Sequence, residues 1–255
     1  MWAWRPRRVH KIKKLVDHLA VILPFEADFF SRHGIPVTFV GHPLLDSGSS
    51  SVDCQRTNIA DGENIIGLLP GSRDREIARL LPIMMAAAEN LSQRTGGIKF
   101  LVSVAPSVDR EAVEQIIKSN VSAADVEIVD DGVMRIFQRS RLVVATSGTV
   151  TMEAAICGTP MIIIYKVSPL TYRLGKALAK VEYIGLVNLI AGKGVVPELL
   201  QQQASPGNIA DKVIELLGDD TRLDDLKNEL LKVKDALGGP GASKRVAQIA
   251  LSMLY

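Results

Sequence analysis

The chain has 255 residues, 47% hydrophobic and 23% charged, enough to bury a full core as one large or two small domains. Thirty basic side chains against 28 acidic ones leave a formal charge of +2, too balanced for a surface given over to nucleic acid. Cys54 and Cys157 stand alone, without a C-x-x-C pair or other zinc spacing, so a reducing compartment fits and neither a disulfide framework nor a metal centre is expected. Cys157 reads as a small core residue.

The opening, Met1 to Arg8, is basic, but the apolar run that follows, Leu19 to Leu23, is too short for a secretory signal or a spanning helix. It lacks the buried strand and glycine-bearing turn that open a doubly wound domain, so the start reads as cut from something longer. Val9 to Asp17 is basic and partly helical. Together with the apolar runs Leu19 to Leu23 and Val37 to Val40, it reads as the tail of a sheet whose other strands are missing. Residues 47–62, rich in Ser, Asp, Gly, Asn and Thr, read as a linker.

Beyond it the pattern is regular. Asn64 to Leu69, Phe100 to Val104, Val126 to Val129, Leu142 to Ala145 and Met161 to Tyr165 are short β-rich runs. Between them lie helical stretches, including Pro82 to Gln93, with Ile83, Met84, Ala87 and Leu91 on one face, and Asp109 to Lys118. Nearly continuous apolar strands with helical crossovers predict a parallel sheet covered on both faces, with ligands at the carboxyl ends of its strands. From Asn208 the chain reads as helical, with the break Gly238-Gly239-Pro240-Gly241 freeing the last helix to pack elsewhere.

Ser147-Gly148-Thr149-Val150-Thr151-Met152-Glu153 follows one apolar run and leads, through Gly158-Thr159-Pro160, into the next. A small-residue turn before a helix start offers backbone N–H groups and a positive dipole end to an anion, which makes residues 147–149 a phosphate seat. A capping role is the alternative for Ser-Gly-Thr taken alone. Glu153, one helical turn past Thr149, is placed to accept hydrogen bonds from the sugar hydroxyls of a seated nucleotide. Arg73, in Leu69-Pro70-Gly71-Ser72-Arg73, would emerge at the carboxyl edge of the sheet, where a guanidinium grips a diphosphate; the alternative is a surface arginine beside Asp74, Arg75 and Glu76.

Neither G-x-G-x-x-G nor G-x-x-x-x-G-K-[ST] occurs, and there is no D-x-D to bridge a metal to a leaving diphosphate. All four histidines fall within the first 45 residues, so the larger region has no histidine base; His42 reads either as a turn residue or as lining a cleft. Ser168 to Lys180 reads as a basic amphipathic helix with Arg173, Lys176 and Lys180 on one side. It is either an ordinary surface helix or, with Trp2, Trp4, Arg5, Arg7 and Arg8, a face for an anionic membrane. Asn188 is a buried-looking amide in an apolar run, and a ligand is one source of the partners it needs.

These residues carry a resemblance. Trp2-Ala3-Trp4-Arg5, Leu23-Pro24-Phe25-Glu26, Val40-Gly41-His42-Pro43, Leu69 to Arg73, Ser147-Gly148-Thr149 with Glu153, and Tyr183 through Asn188 to Gly192 occur in the order found in lipid-A-disaccharide synthases. The chain resembles these two-Rossmann, B-type bacterial glycosyltransferases over essentially its whole length. The resemblance implies an α/β fold: the C-terminal Rossmann-like parallel-sheet domain of such an enzyme, preceded by the tail end of its first Rossmann domain. The implied divisions are a remnant of the acceptor-side domain at 1–46, a linker at 47–62, the UDP-sugar-binding domain at 63–237, and a C-terminal helix at 238–255 that packs back on the N-terminal domain or on a partner.

The implied reaction of lipid A (lipopolysaccharide) biosynthesis moves a diacylglucosamine unit from UDP-2,3-diacylglucosamine to 2,3-diacylglucosamine 1-phosphate, giving the β-1,6 disaccharide and UDP. Gly71, Ser72 and Arg73 with Ser147, Gly148 and Thr149 would stabilise the diphosphate, Glu153 would hold the ribose, and Asn188 would contact the donor. Neither cofactor nor metal is implied. The expected setting is cytoplasmic, at the anionic inner face of the inner membrane, and a homodimer is an expected assembly. The acceptor base belongs to the first domain, most of which is absent, so this chain is expected to bind UDP and turn over little substrate. The alternatives are a non-catalytic UDP-sugar-binding module and a UDP-N-acetylglucosamine-using transferase or 2-epimerase of the same fold.

Overall fold

The computed structural model describes residues 8–46, 64–168, 171–173 and 182–254. The chain divides into two units, one of Met1–Asp53, Ser168–Glu182 and Lys232–Tyr255, the other of Cys54–Val167 and Tyr183–Leu231. The linker expected at 47–62, Trp2, Trp4, Arg5 and Arg7, and Lys176 and Lys180 of the basic helix lie outside the described residues.

In the first unit, α1 (Val9–Ile12) is followed by β1 (Leu19–Val21), α2 (Pro24–Arg32) and β2 (Val37–Phe39). β1 and β2 pair in parallel, Leu19 beside Val37, so α2 is the crossover of a βαβ unit. Proline at its first position and Glu26 in its first turn start α2 where the chain leaves β1. Val9, Val21, Phe30 and Ile35 form a small core under it. The last helix, α10 (Ala242–Ser252), belongs to the same unit. Asp46 accepts the backbone N–H groups of Gly241, Ala242 and Ser243 at its start, and the Arg245 guanidinium donates to the carbonyls of Val40, Gly239 and Pro240. His42, expected either in a turn or on a cleft, is a turn residue: buried, it caps the short 3-10 helix Pro43–Leu45 through Nδ1, and burial lowers its pKa.

The second unit holds a six-stranded parallel sheet. Its strands are β3 (Asn64–Leu69), β4 (Ile98–Ser103), β5 (Asp125–Val129), β6 (Leu142–Thr146), β7 (Met161–Tyr165) and β8 (Glu198–Leu200), in the order β5-β4-β3-β6-β7-β8. That is the doubly wound Rossmann order, with its reversal between β3 and β6. β3, β4, β6 and β7 are buried almost from end to end, as continuous apolar runs require when both sheet faces are covered. The connecting helices are α3 (Asp74–Thr95), α4 (Arg110–Asn120), α5 (Val133–Arg139), α6 (Thr149–Ile156) and α7 (Leu186–Ala191). After β8 come α8 (Pro206–Leu217), which packs on α3, and α9 (Asp220–Ala236).

Two elements differ from the expectations. The helix expected from Pro82 begins at Asp74, and Pro82 lies inside it. Burial of Ile77, Leu80, Leu81, Met84 and Met85 on the sheet outweighs the one backbone hydrogen bond that a proline removes. The apolar run around Asn188 is the short helix α7, and β8 beyond it adds a sixth strand to the five expected.

Candidate functional site

The sheet reverses its winding between β3 and β6, and the two strands end level, Leu69 beside Ala145. The loops leaving them therefore diverge around an opening at the carboxyl edge, the place where such sheets bind ligands. A cleft of about 310 Å³ lies there, lined by Gly71, Ser72, Arg73 and Glu76 from the first loop and by Ser147, Gly148, Thr149, Val150 and Glu153 from the second. Ser103 and Thr146, both buried at the ends of β4 and β6, complete its floor.

Each loop has a local reason for its path. Gly71 has φ +121°, a backbone that side-chain-bearing residues rarely adopt, and a Cβ there would come within 2.5 Å of Glu76 Oε2. Ser107 Oγ donates to the Ser72 carbonyl at 2.9 Å and ties the loop to the chain beyond β4. At α6, Thr151 bonds the Gly148 carbonyl through both its N–H and its hydroxyl, fixing the first turn. Gly148 is extended, at φ 176°, and its missing Cβ would point into open space. Glycine there leaves room rather than relieving backbone strain.

The amides expected to seat an anion are shared differently from the expectation. Ser147 N–H is taken by the Ile164 carbonyl at 3.2 Å, an extension of the β6–β7 pairing, so it offers nothing to a ligand. The N–H groups of Gly148, Thr149 and Val150 have no partner among the described residues and lie at the cleft. Three donors at the positive end of α6 face the opening.

Glu153 follows one turn later. Its carboxylate lines the cleft, has no hydrogen-bond partner among the described residues, and is pushed above the ordinary glutamate pKa by burial. Arg73 sits at the rim, its side chain 77% exposed, with Nη1 on Glu76 Oε1 at 2.6 Å. The structure thus brings together seven of the eight expected site residues: Gly71, Ser72, Arg73, Ser147, Gly148, Thr149 and Glu153.

Asn188 stands apart from them. It is fully buried, its Nδ2 donates to the Val196 carbonyl and to Glu198 Oε1, and its Oδ1 accepts from Val195 and Val196 N–H, all between 2.8 and 2.9 Å. Every hydrogen-bonding position of its side-chain amide is occupied by protein, and the side chain lies outside the cleft lining. Glu198 also accepts the N–H groups of Ile184 and Gly185 at the start of α7, and the cluster fixes the α7–β8 corner. Glu76, Ser103 and Thr146 join the cleft beyond the expected residues. Only the fixed interval of Glu76 from Arg73, one helical turn, marked it in advance.

The family described as lipid-A-disaccharide synthetase matches residues 1–253. The chain belongs to this family. The lipid-A-disaccharide synthase of Geobacter sulfurreducens is 42% identical over 258 residues, which cover all of this chain and 67% of the relative. That of Coxiella burnetii, strain Dugway 5J108-111, is 34% identical over 259 residues, covering all of this chain and 68% of the relative. The chain thus spans about two thirds of the length of these relatives, and family membership places it among the glycosyltransferases of lipid A biosynthesis.

Among solved structures, it is similar to the UDP-GlcNAc 2-epimerase from Neisseria meningitidis bound to UDP-GlcNAc, with a TM-score of 0.63 and 13% identity over 94% of this chain and 62% of that one. A putative UDP-N-acetylglucosamine 2-epimerase from Listeria monocytogenes gives the same TM-score and identity, over 92% of this chain and 58% of that one. At this identity the likeness shows a shared fold, with a Rossmann-like parallel sheet.

Proposed function

We propose that the cleft between β3 and β6 binds the UDP moiety of UDP-2,3-diacylglucosamine, for transfer of the acylated sugar to 2,3-diacylglucosamine 1-phosphate. One observation supports the reading: a half-buried carboxylate, Glu153, stands one helical turn from three amides at a helix start, and neither it nor they have a partner among the described residues. Amides at the dipole end suit phosphate oxygens. A carboxylate with no protein donor suits the vicinal hydroxyls of a ribose. Arg73 at the rim completes the neutralisation of the diphosphate as the glycosidic bond breaks, with fixed dipoles and a guanidinium in the place of a metal bridge.

In this reading Gly71, Ser72, Gly148 and Thr149 shape the seat, Arg73 and the amides of residues 148–150 hold the diphosphate, and Glu153 holds the sugar of the nucleoside. Ser147 shapes the turn through its backbone. No described residue is assigned as acceptor base. Both substrates carry acyl chains, which places the reaction at a membrane surface, with the protein peripheral on the cytoplasmic face. Among the described residues no helix is long and apolar enough to cross a membrane.

Calorimetric titration of the chain with UDP tests the reading, together with a UDP-release assay using both acylated sugars. Saturable UDP binding, lost in Glu153→Ala, is the expected result. Binding without UDP release marks a nucleotide-sugar-binding module, and no binding at millimolar UDP overturns the proposal. Binding of the chain to vesicles containing anionic lipid checks the membrane placement, and sedimentation checks the expected homodimer.

A further inference from the structure

Arginine side chains that grip a diphosphate work best when the guanidinium is held in place before the ligand arrives, because a free one loses rotamer entropy on binding. Arg73 has little to hold it: its side chain is 77% exposed, and its polar side-chain contact among the described residues is the one to Glu76. Glu76 grips two points of the loop at once. Oε1 accepts from Arg73 Nη1 at 2.6 Å and Oε2 accepts from Ser72 N–H at 3.3 Å. The loop in turn is cut to admit this carboxylate, since any side chain at Gly71 would strike Oε2.

We propose that Glu76 is a positioning residue for Arg73, clamping one edge of the guanidinium so that the other edge faces the diphosphate seat. The proposal rests on the UDP reading of the cleft. A carboxylate on the wall of an anion site is otherwise unfavourable, since its charge opposes that of the ligand at close range. Its retention beside a phosphate seat is explained if it orders the cation that does the binding. Helix capping alone does not explain it. Asp74 already supplies a negative charge in the first turn of α3 without lining the cleft.

The sign of one substitution separates positioning from simple electrostatics. Removing a negative charge from the wall tightens UDP if Glu76 acts only as a charge, and loosens it if Glu76 orders Arg73. For the 255-residue chain, UDP titrations are compared for the wild type, Glu76→Gln, Arg73→Ala and the double variant, with Asp74→Asn as the control that removes the same charge from the same turn. Glu76→Gln is expected to weaken UDP by roughly three- to tenfold, with no further loss when Arg73 is already alanine. Asp74→Asn is expected to leave the affinity within about twofold.

Tighter or unchanged binding in Glu76→Gln overturns the proposal, as does a loss that multiplies with that of Arg73→Ala. Should Glu76→Gln lower the melting temperature, Glu76→Asp keeps the charge and shortens the reach; it is then expected to bind UDP more weakly than Asp74→Asn, and equal binding overturns the proposal. If the wild type itself fails to bind UDP, it is the reading of the cleft that falls.

Discussion

Asn188 Nδ2 stands 2.8 Å from Glu198 Oε1, and this bond helps to join α7 to the edge strand β8 around the fully buried Asn188 side chain. Replacing Asn188 by alanine leaves the N–H groups of Val195 and Val196 without an acceptor and takes a donor from Glu198. Unsatisfied buried groups cost about 1–3 kcal/mol each, partly relieved by water, so Asn188→Ala is expected to lose about 2–4 kcal/mol of stability. Thermal unfolding measures this. The UDP affinity of the folded fraction is expected to stay within about twofold, because the cluster lies outside the cleft. A loss of affinity with unchanged stability contradicts the structural role.

Glu153 ties binding and stability in opposite directions. Burial raises its carboxyl pKa above the ordinary value of 4.5, so only between the unfolded and the raised folded pKa does the folded state hold a proton that the unfolded state has released. The sign follows: relative to a neutral residue, stability is full below the unfolded pKa and is lost as pH rises through the raised folded one. Glu153→Gln is therefore expected to melt higher than the wild type at pH 8 and to match it near pH 4. Its UDP affinity is expected to fall by about tenfold or more, since bonds from hydroxyls to a charged acceptor are among the stronger ones. Melting curves across pH, paired with titrations at pH 8, check both halves.

Asp46 accepts the Ala242 N–H at 2.7 Å, from 196 positions earlier in the chain, and holds α10 by its first turn. The backbone N–H of Ser243 first, then its side chain and the Ala242 and Gly241 amides, bring the carboxyl from 3.8 to about 2, against the opposing effect of desolvation. The contribution is present above about pH 3.8 and disappears as pH falls through about 2. Asp46→Ala is expected to speed hydrogen exchange at residues 241–252 at neutral pH, with β3 to β7 unaffected. Exchange mass spectrometry resolves the two regions.

Much of this was legible in the sequence, for a physical reason. Strands buried on both faces appear as continuous apolar runs, so β3, β4, β6 and β7 stand out at Ile65, Phe100, Val143 and Ile163. The turn before α6 stood out because its small residues fall between an apolar run and a helix. What was hidden depends on partners distant in sequence or on competing local signals. Pro82 imitated a helix start because proline suits that position, while the burial that overrides it is tertiary. Asn188 showed a need for partners and not their identity, since these are the backbone seven and eight residues on and the Glu198 carboxylate ten residues on. Glu76 was lost in a run of charges where every residue looked equally solvated.

Gly71 and Gly148 separate shape from fold within the one cleft. At Gly71, alanine meets both a forbidden φ of +121° and the Glu76 carboxylate, so Gly71→Ala is expected to cost about 1–3 kcal/mol of stability and to weaken UDP as the Arg73 loop shifts. At Gly148 the backbone is extended and the space around a new Cβ is empty. Gly148→Ala is thus expected to leave stability within about 0.5 kcal/mol of the wild type, or to raise it slightly by restricting the unfolded chain. Yet Gly148 lines the cleft, so under the proposed UDP reading the added methyl group takes up space beside the amides of residues 148–150, and UDP affinity is expected to fall by about tenfold or more. Melting and titration on the same two variants check this. A Gly148→Ala chain that binds UDP like the wild type places the diphosphate elsewhere than the start of α6.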